Sequence, residues 1–119
     1  MERTVADRLL AAALAYPGAH EDHPWGDTVV KVDGKIFVFL DLSEDGTFRL
    51  TVKLPDRSAQ VLQDHAFTRA TGYGLGKSGW ISCTIPEELE VDEAMLRTWI
   101  DLSYRSIAKK RRIKELASP

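Results

Sequence analysis

One cysteine, Cys83, stands alone in the chain, so no internal disulfide can form. Alternation places it with Ile81 and Ile85 on the apolar side of a strand, where a thiol is usually inert. No apolar run approaches the roughly 20 residues that a bilayer-crossing helix needs. The start of the chain carries Glu2, Arg3 and Asp7 rather than a basic stretch leading into an apolar one, so no secretory pattern is visible and a cytoplasmic protein is expected. A strong net charge is also lacking: the sum is -2 and the pI about 5.9, far from the basic balance of a dedicated nucleic-acid binder. His20 and His23 lie near Glu21, Asp22 and Asp27, but there is no HExxH helix and no cysteine partner, so no metal site is expected.

What the chain does hold is enough for one compact domain over residues 1–119, with 44% hydrophobic and 29% charged residues. The charge is unevenly spread. Of 16 lysines and arginines, six (Arg105, Lys109, Lys110, Arg111, Arg112 and Lys114) fall after position 104, where Glu115 is the only acid. The preceding residues thus hold ten cations against seventeen of the 18 acids. A basic tail of this kind can neutralise nucleic-acid phosphates, or it can complement the dipole at a helix C-terminus.

Helical spacing of Val5, Leu9, Ala12, Ala13 and Tyr16 predicts a helix over residues 3–16, stopped by Pro17 and Gly18. The stretch from Gly18 to Asp27 reads as a loop, with Trp25 as an anchor onto the core. Thr28–Val32 and Lys35–Leu42 form a hairpin around a type I′ turn at Asp33-Gly34, and Glu44-Asp45-Gly46 turns the chain into Thr47–Leu54. A short helix near residues 56–65 and a strand at Phe67–Thr71 follow, then a strand from Trp80. Asp92 caps a long helix whose buried face carries Leu96, Trp99, Ile100, Ser103 and Ile107 and whose end is the basic cluster. The expected architecture is α+β: two layers in the order α-β-β-β-α-β-β-α, with a five-stranded antiparallel sheet.

Thr71 to Trp80, TGYGLGKSGW, is the densest chemical signal. Glycine amides can approach an anion closely, and Lys77-Ser78 resembles the end of a phosphate-binding P-loop. The leading glycine of that motif is replaced by Thr71, and Trp80–Ile85 reads as a strand where a P-loop requires a helix. The loop is therefore expected to be a strand connection, with no nucleotide cofactor. Titratable candidates for catalysis are confined to Asp101 and Tyr104, one helical turn apart, with Lys77 and the histidine loop, and no enzyme is expected.

Helices covering one sheet face leave the other open. Alternation assigns Arg49, Thr51, Lys53, Ser82, Thr84 and Trp80 to the open face, while the strand with Phe37 and Phe39 opposite Ile36, Val38 and Leu40 is apolar on both sides. Aromatics among Lys31, Arg49 and Lys53 could stack bases and hold phosphates, could centre a homodimer interface or seat another protein, or could be plain excess hydrophobicity in a central strand.

Four segments, HPWGD with VKVDGKIFVFL, then GYGLGKSGW and WIDLSYRSIAKK, resemble the MmcQ/YjbR family of small bacterial proteins over nearly the whole chain. Many members carry Asn-Lys-x-His-Trp where this chain has Gly76-Lys77-Ser78-Gly79-Trp80. The resemblance implies a two-layer fold related in outline to type III secretion chaperones, and DNA binding through two hairpin wings. Carried onto this chain, the wings are the Asp33-Gly34-Lys35 turn and the Gly72–Gly79 loop, with Lys35 and Lys77 at phosphates. The nucleic-acid-binding set expected is Lys35, Arg49, Lys53, Lys77, Trp80, Arg105, Lys109, Lys110, Arg111 and Arg112.

Overall fold

A computed structural model describes residues 4–24, 27–72 and 74–117. Trp25, Gly26 and Tyr73 therefore lie outside the described residues, and with them the expected role of Trp25 as an anchor.

Helix α1 spans Val5–Leu14. It starts where the Thr4 hydroxyl accepts a hydrogen bond from the Asp7 amide, and it buries Ala6, Leu9 and Ala13. Strands β1 (His20–Asp22), β2 (Val29–Val32), β3 (Lys35–Leu42) and β4 (Phe48–Lys53) follow, then helix α2 (Ser58–Asp64) and strand β5 (Thr68–Ala70). A 3-10 turn over Leu75–Ser78 leads into β6 (Trp80–Ile85), and helices α3 (Glu93–Ile107) and α4 (Lys110–Ala117) close the chain. The β2–β3 turn has positive φ at both Asp33 (53°) and Gly34 (79°), as a type I′ hairpin requires.

The architecture is α+β, with a single antiparallel sheet in the order β1-β2-β3-β4-β6-β5. Among the described residues six strands form where five were expected. The addition, His-Glu-Asp, carries no apolar alternation; it is an edge strand held by its ladder to β2 and by the Lys31–Asp22 ion pair at 2.8 Å. Helices α1 and α3 pack on one face over β2, β3 and β4, and α2 over β5 and β6, enclosing Val30, Val32, Val38, Leu40, Leu50, Val52, Val61, Ile81, Cys83 and Ile85.

Two departures from simple periodicity shape that face. The register between β2 and β3 steps from Val30↔Val38 to Lys31↔Ile36, so Phe37 has no partner on β2. This bulge turns Phe37 to the same side as Val38, away from Phe39, and seats it edge-on to Tyr104 (5.2 Å) and Tyr16 (6.2 Å). The second departure is the end of the last helix, expected to be continuous into the basic cluster. Ala108 is extended (φ -67°, ψ 151°), and α4 sets off afresh from Lys110. The break lets the Lys109 amide and the Arg112 guanidinium both reach the carboxylate of Asp33, each at 3.3 Å.

Candidate functional site

Strand order and direction decide which loops meet. The β2–β3 turn joins the C-terminal end of β2 to the N-terminal end of β3, and residues 71–79 join β5 to the N-terminal end of β6. Because β4 runs antiparallel to both β3 and β6, those ends lie beside Lys53, at one and the same end of the sheet. The C-terminal part of α3 is there too, since the Ser103 hydroxyl bonds the Lys53 amide and the Phe37 carbonyl. Through Asp33, α4 is fastened to the first of the two loops.

Lys35, Lys77, Lys109, Lys110 and Arg111 are thus brought to one end of the molecule, all exposed, with the half-buried Lys53 among them. Arg57, in the turn leaving β4, joins this set and was not expected; its only sequence signal is its place just after the Pro55-Asp56 turn. The expected residues Arg105 and Arg112 are at the same end but hold carboxylates, Asp101 at 2.7 Å and Asp33 at 3.3 Å. Arg49 stands apart: its neighbours across the ladders are Asp41 and Thr84, toward the other end. Arg69, on β5 opposite Ser82, is a second exposed cation missed by the sequence reading.

The opposite end is acidic. Leu42, Phe48 and Ile85 form its last row of strand residues. Beyond that row the β3–β4 turn carries Glu44 and Asp45, and residues 86–92 carry Glu87, Glu88, Glu90 and Asp92. The small net charge therefore conceals a charge separation along the strand axis.

Asp33 is the pivot of the basic end. Burial of its carboxylate pushes its pKa up, but the Lys109 amide and the Arg112 guanidinium outweigh this and hold it below the ordinary carboxylate range. Its side chain is 5% exposed, and Arg112 divides its charge between this carboxylate and that of Glu115 at 3.7 Å.

The sheet face away from the helices is less open than alternation implies. Val29 is fully buried and Trp80 is 9% exposed, although both lie outside the main core. The Trp80 indole meets Phe39 edge-on at 5.8 Å, and Thr51, Ser82 and Thr71 run beside them as a chain of hydroxyls at 3.1 and 2.9 Å. Trp80 is thus covered by its own chain, which corrects its expected place as an exposed stacking platform.

In the loop from Gly72, Gly74 and Gly79 take positive φ around the 3-10 turn, and strand β6 follows directly. The helix N-terminus that a P-loop aims at phosphate is not in this arrangement. Asp101 and Tyr104 do not converge: Tyr16 donates to Asp101 at 2.9 Å, whereas Tyr104 donates to the Pro17 carbonyl at 2.7 Å. Burial raises the Tyr104 hydroxyl above its usual pKa, and burial followed by the Asp101 hydrogen bond raises that of Tyr16. Burial likewise pushes the Cys83 thiol up to about 12. Among the described residues no group of three or more histidines, cysteines or acids is gathered to hold a metal; His23 instead pairs with Glu21 at 2.7 Å. Nor is any described helix long and apolar enough to cross a membrane.

Comparison with known proteins agrees with this architecture. No curated protein matches the chain. A crystal structure from Deinococcus radiodurans, described as a DUF419 family-model domain, superposes with a TM-score of 0.72 at 26% identity, covering 99% of this chain and 94% of that one. The family model for YjbR matches residues 14–106, and with that span, which takes in both loops of the basic end and most of α3, the chain belongs to the YjbR family.

Proposed function

We propose that this protein binds duplex DNA without catalysing a reaction, through phosphate contacts made by the basic end of the sheet. One observation carries the reading: sheet order and the Asp33 tie bring Lys35, Lys77, Lys109, Lys110 and Arg111, from three separate stretches of sequence, to a single surface. Cations placed this way can follow a phosphate backbone, while the acidic end sets the orientation by repulsion. In the glycine loop the amides of Leu75, Gly76, Lys77 and Gly79 already donate to carbonyls of the loop, so phosphate contact there falls to the Lys77 side chain. The contacts are to backbone, so affinity depends strongly on salt and weakly on sequence. On this reading the protein meets its DNA in the cytoplasm.

The test is a titration of fluorescently labelled duplex at increasing salt. Neutralising about four phosphates gives a slope of log affinity against log salt of about -3.6. Removing two of the cations, Lys35→Ala with Lys77→Ala, lowers the slope by about two units. Absence of binding at low salt, or a slope that the double substitution leaves unchanged, refutes the proposal.

A further inference from the structure

At the acidic end lies a groove of about 520 Å³, a volume within the range of about 300–1,000 Å³ usual for binding sites. Val5 from α1, Leu42 from the end of β3, Phe48 from β4 and Leu89 from the segment after β6 give it an apolar floor and walls. Leu42 is 53% exposed and Leu89 40%, two of the three large apolar side chains most open to water among the described residues. Their exposure is concentrated in one depression instead of scattered, the pattern that marks an interaction site. Glu87 and Glu90 stand at the groove itself, and Glu88, Glu44 and Asp45 lie in the two segments that border it.

We propose that this groove docks an amphipathic helical segment of a partner protein, with large apolar residues on one face and lysines or arginines on the other. The apolar walls match anchors spaced one helical turn apart, and the carboxylates match the cations beside them. The same carboxylates repel DNA, acidic peptides and anionic membrane surfaces. The groove is at the far end of the sheet from the lysines of the basic end, so partner and DNA can be held together, and neither site needs the other.

The experiment uses the full chain and three labelled synthetic helical peptides: leucines at helical spacing with lysines elsewhere, the same peptide with glutamates for lysines, and the lysine peptide with its leucines scrambled. The first is expected to bind at least about tenfold more tightly than either of the others. Leu42→Asp with Leu89→Asp, both at exposed positions, should weaken it by at least about tenfold, and Glu87→Lys with Glu90→Lys should shift preference to the glutamate peptide. Lys35→Ala with Lys77→Ala should leave peptide binding unchanged. Equal binding of the scrambled peptide, equal binding by the leucine variant, or no binding of any peptide overturns the proposal. Self-association in sedimentation that Leu42→Asp abolishes would also overturn it, by giving the groove to a second copy of the chain.

Discussion

The hydroxyl of Ser103 donates to the carbonyl of Phe37 at 2.6 Å and accepts from the amide of Lys53 at 2.8 Å. Val38 and Val52 are opposite each other in the β3–β4 ladder, so the next rung would join Phe37 to Lys53 directly. The bulge at Phe37 opens that rung, and one fully buried hydroxyl from α3 fills it. The same bulge turns Phe37 into the cluster with Tyr16 and Tyr104, so bulge, serine and aromatic packing form one device fixing α3 to the basic end.

Ser103→Ala removes the bridge and leaves the Phe37 carbonyl and the Lys53 amide without this partner. The expected loss is about 2–3 kcal/mol, the cost of leaving buried polar groups unmade, with a clear fall in the urea midpoint. An unchanged midpoint would show that water replaces the hydroxyl without penalty.

Local features were legible in the sequence. The Asp33-Gly34 turn, the alternation of Phe48, Leu50 and Val52, and the apolar stripe of Leu96, Trp99 and Ile100 each follow from neighbours a few residues away. What the sequence hid depends on distant partners. The reversal of Phe37 needs Ser103, 66 residues on; the docking of α4 needs Asp33 and Arg112, 79 residues apart. Edge strand β1 escaped notice because its three polar residues are ordered by ladder bonds to β2, a contribution that hydrophobic spacing does not record. The meeting of the two loops at one end was equally hidden, because it rests on β6 inserting between β4 and β5.

Gly79 and Gly74 should differ in their tolerance of alanine. Both have positive φ, 91° and 78°. A Cβ on Gly79 would fall 2.5 Å from the Pro55 Cα, whereas one on Gly74 meets nothing within 4 Å. Gly74→Ala is therefore expected to cost about 1 kcal/mol from its backbone conformation alone. Gly79→Ala adds a clash with backbone and should cost at least about 2–3 kcal/mol, read as a larger drop in thermal midpoint. Equal costs would mean that the 54–57 turn moves aside freely.

Acid should weaken the fold through carboxylates whose pKa values are depressed. The Arg8 hydrogen bond does this for Glu93, the Lys31 hydrogen bond for Asp22, and the Thr47 amide for Asp45, while at Asp33 burial is opposed and outweighed by Lys109 and Arg112. Each group binds protons more readily when unfolded, so its contribution is complete above the unfolded value, about pH 4, and is lost as pH falls through the lower folded value. Urea midpoints should be level from about pH 7 to 5 and fall steeply below about 4. Glu93→Gln should lessen the fall, since Arg8 loses its 2.8 Å partner at every pH; a slope identical to the parent chain would exclude this pair as a source.

Asp33→Asn separates the placement of charge from its amount. Asparagine tolerates the left-handed backbone of position 33, where φ is 53°, so the hairpin turn should persist. The substitution removes a negative charge from the basic end, and bulk electrostatics alone predicts tighter DNA binding. It also removes the ionic attachment of Arg112, which with the Lys109 amide holds α4 against the turn. If the cations of α4 act because they are held beside Lys35, affinity for duplex DNA should fall by about three- to tenfold despite the gain in net positive charge. Hydrogen exchange should rise within Lys110–Ala117 and remain unchanged in the sheet. Arg112→Lys keeps the charge but loses the guanidinium geometry at Asp33, so it should move affinity in the same direction by a smaller amount. Tighter binding by Asp33→Asn would show that the total charge of this end, and not the docking of α4, governs recognition.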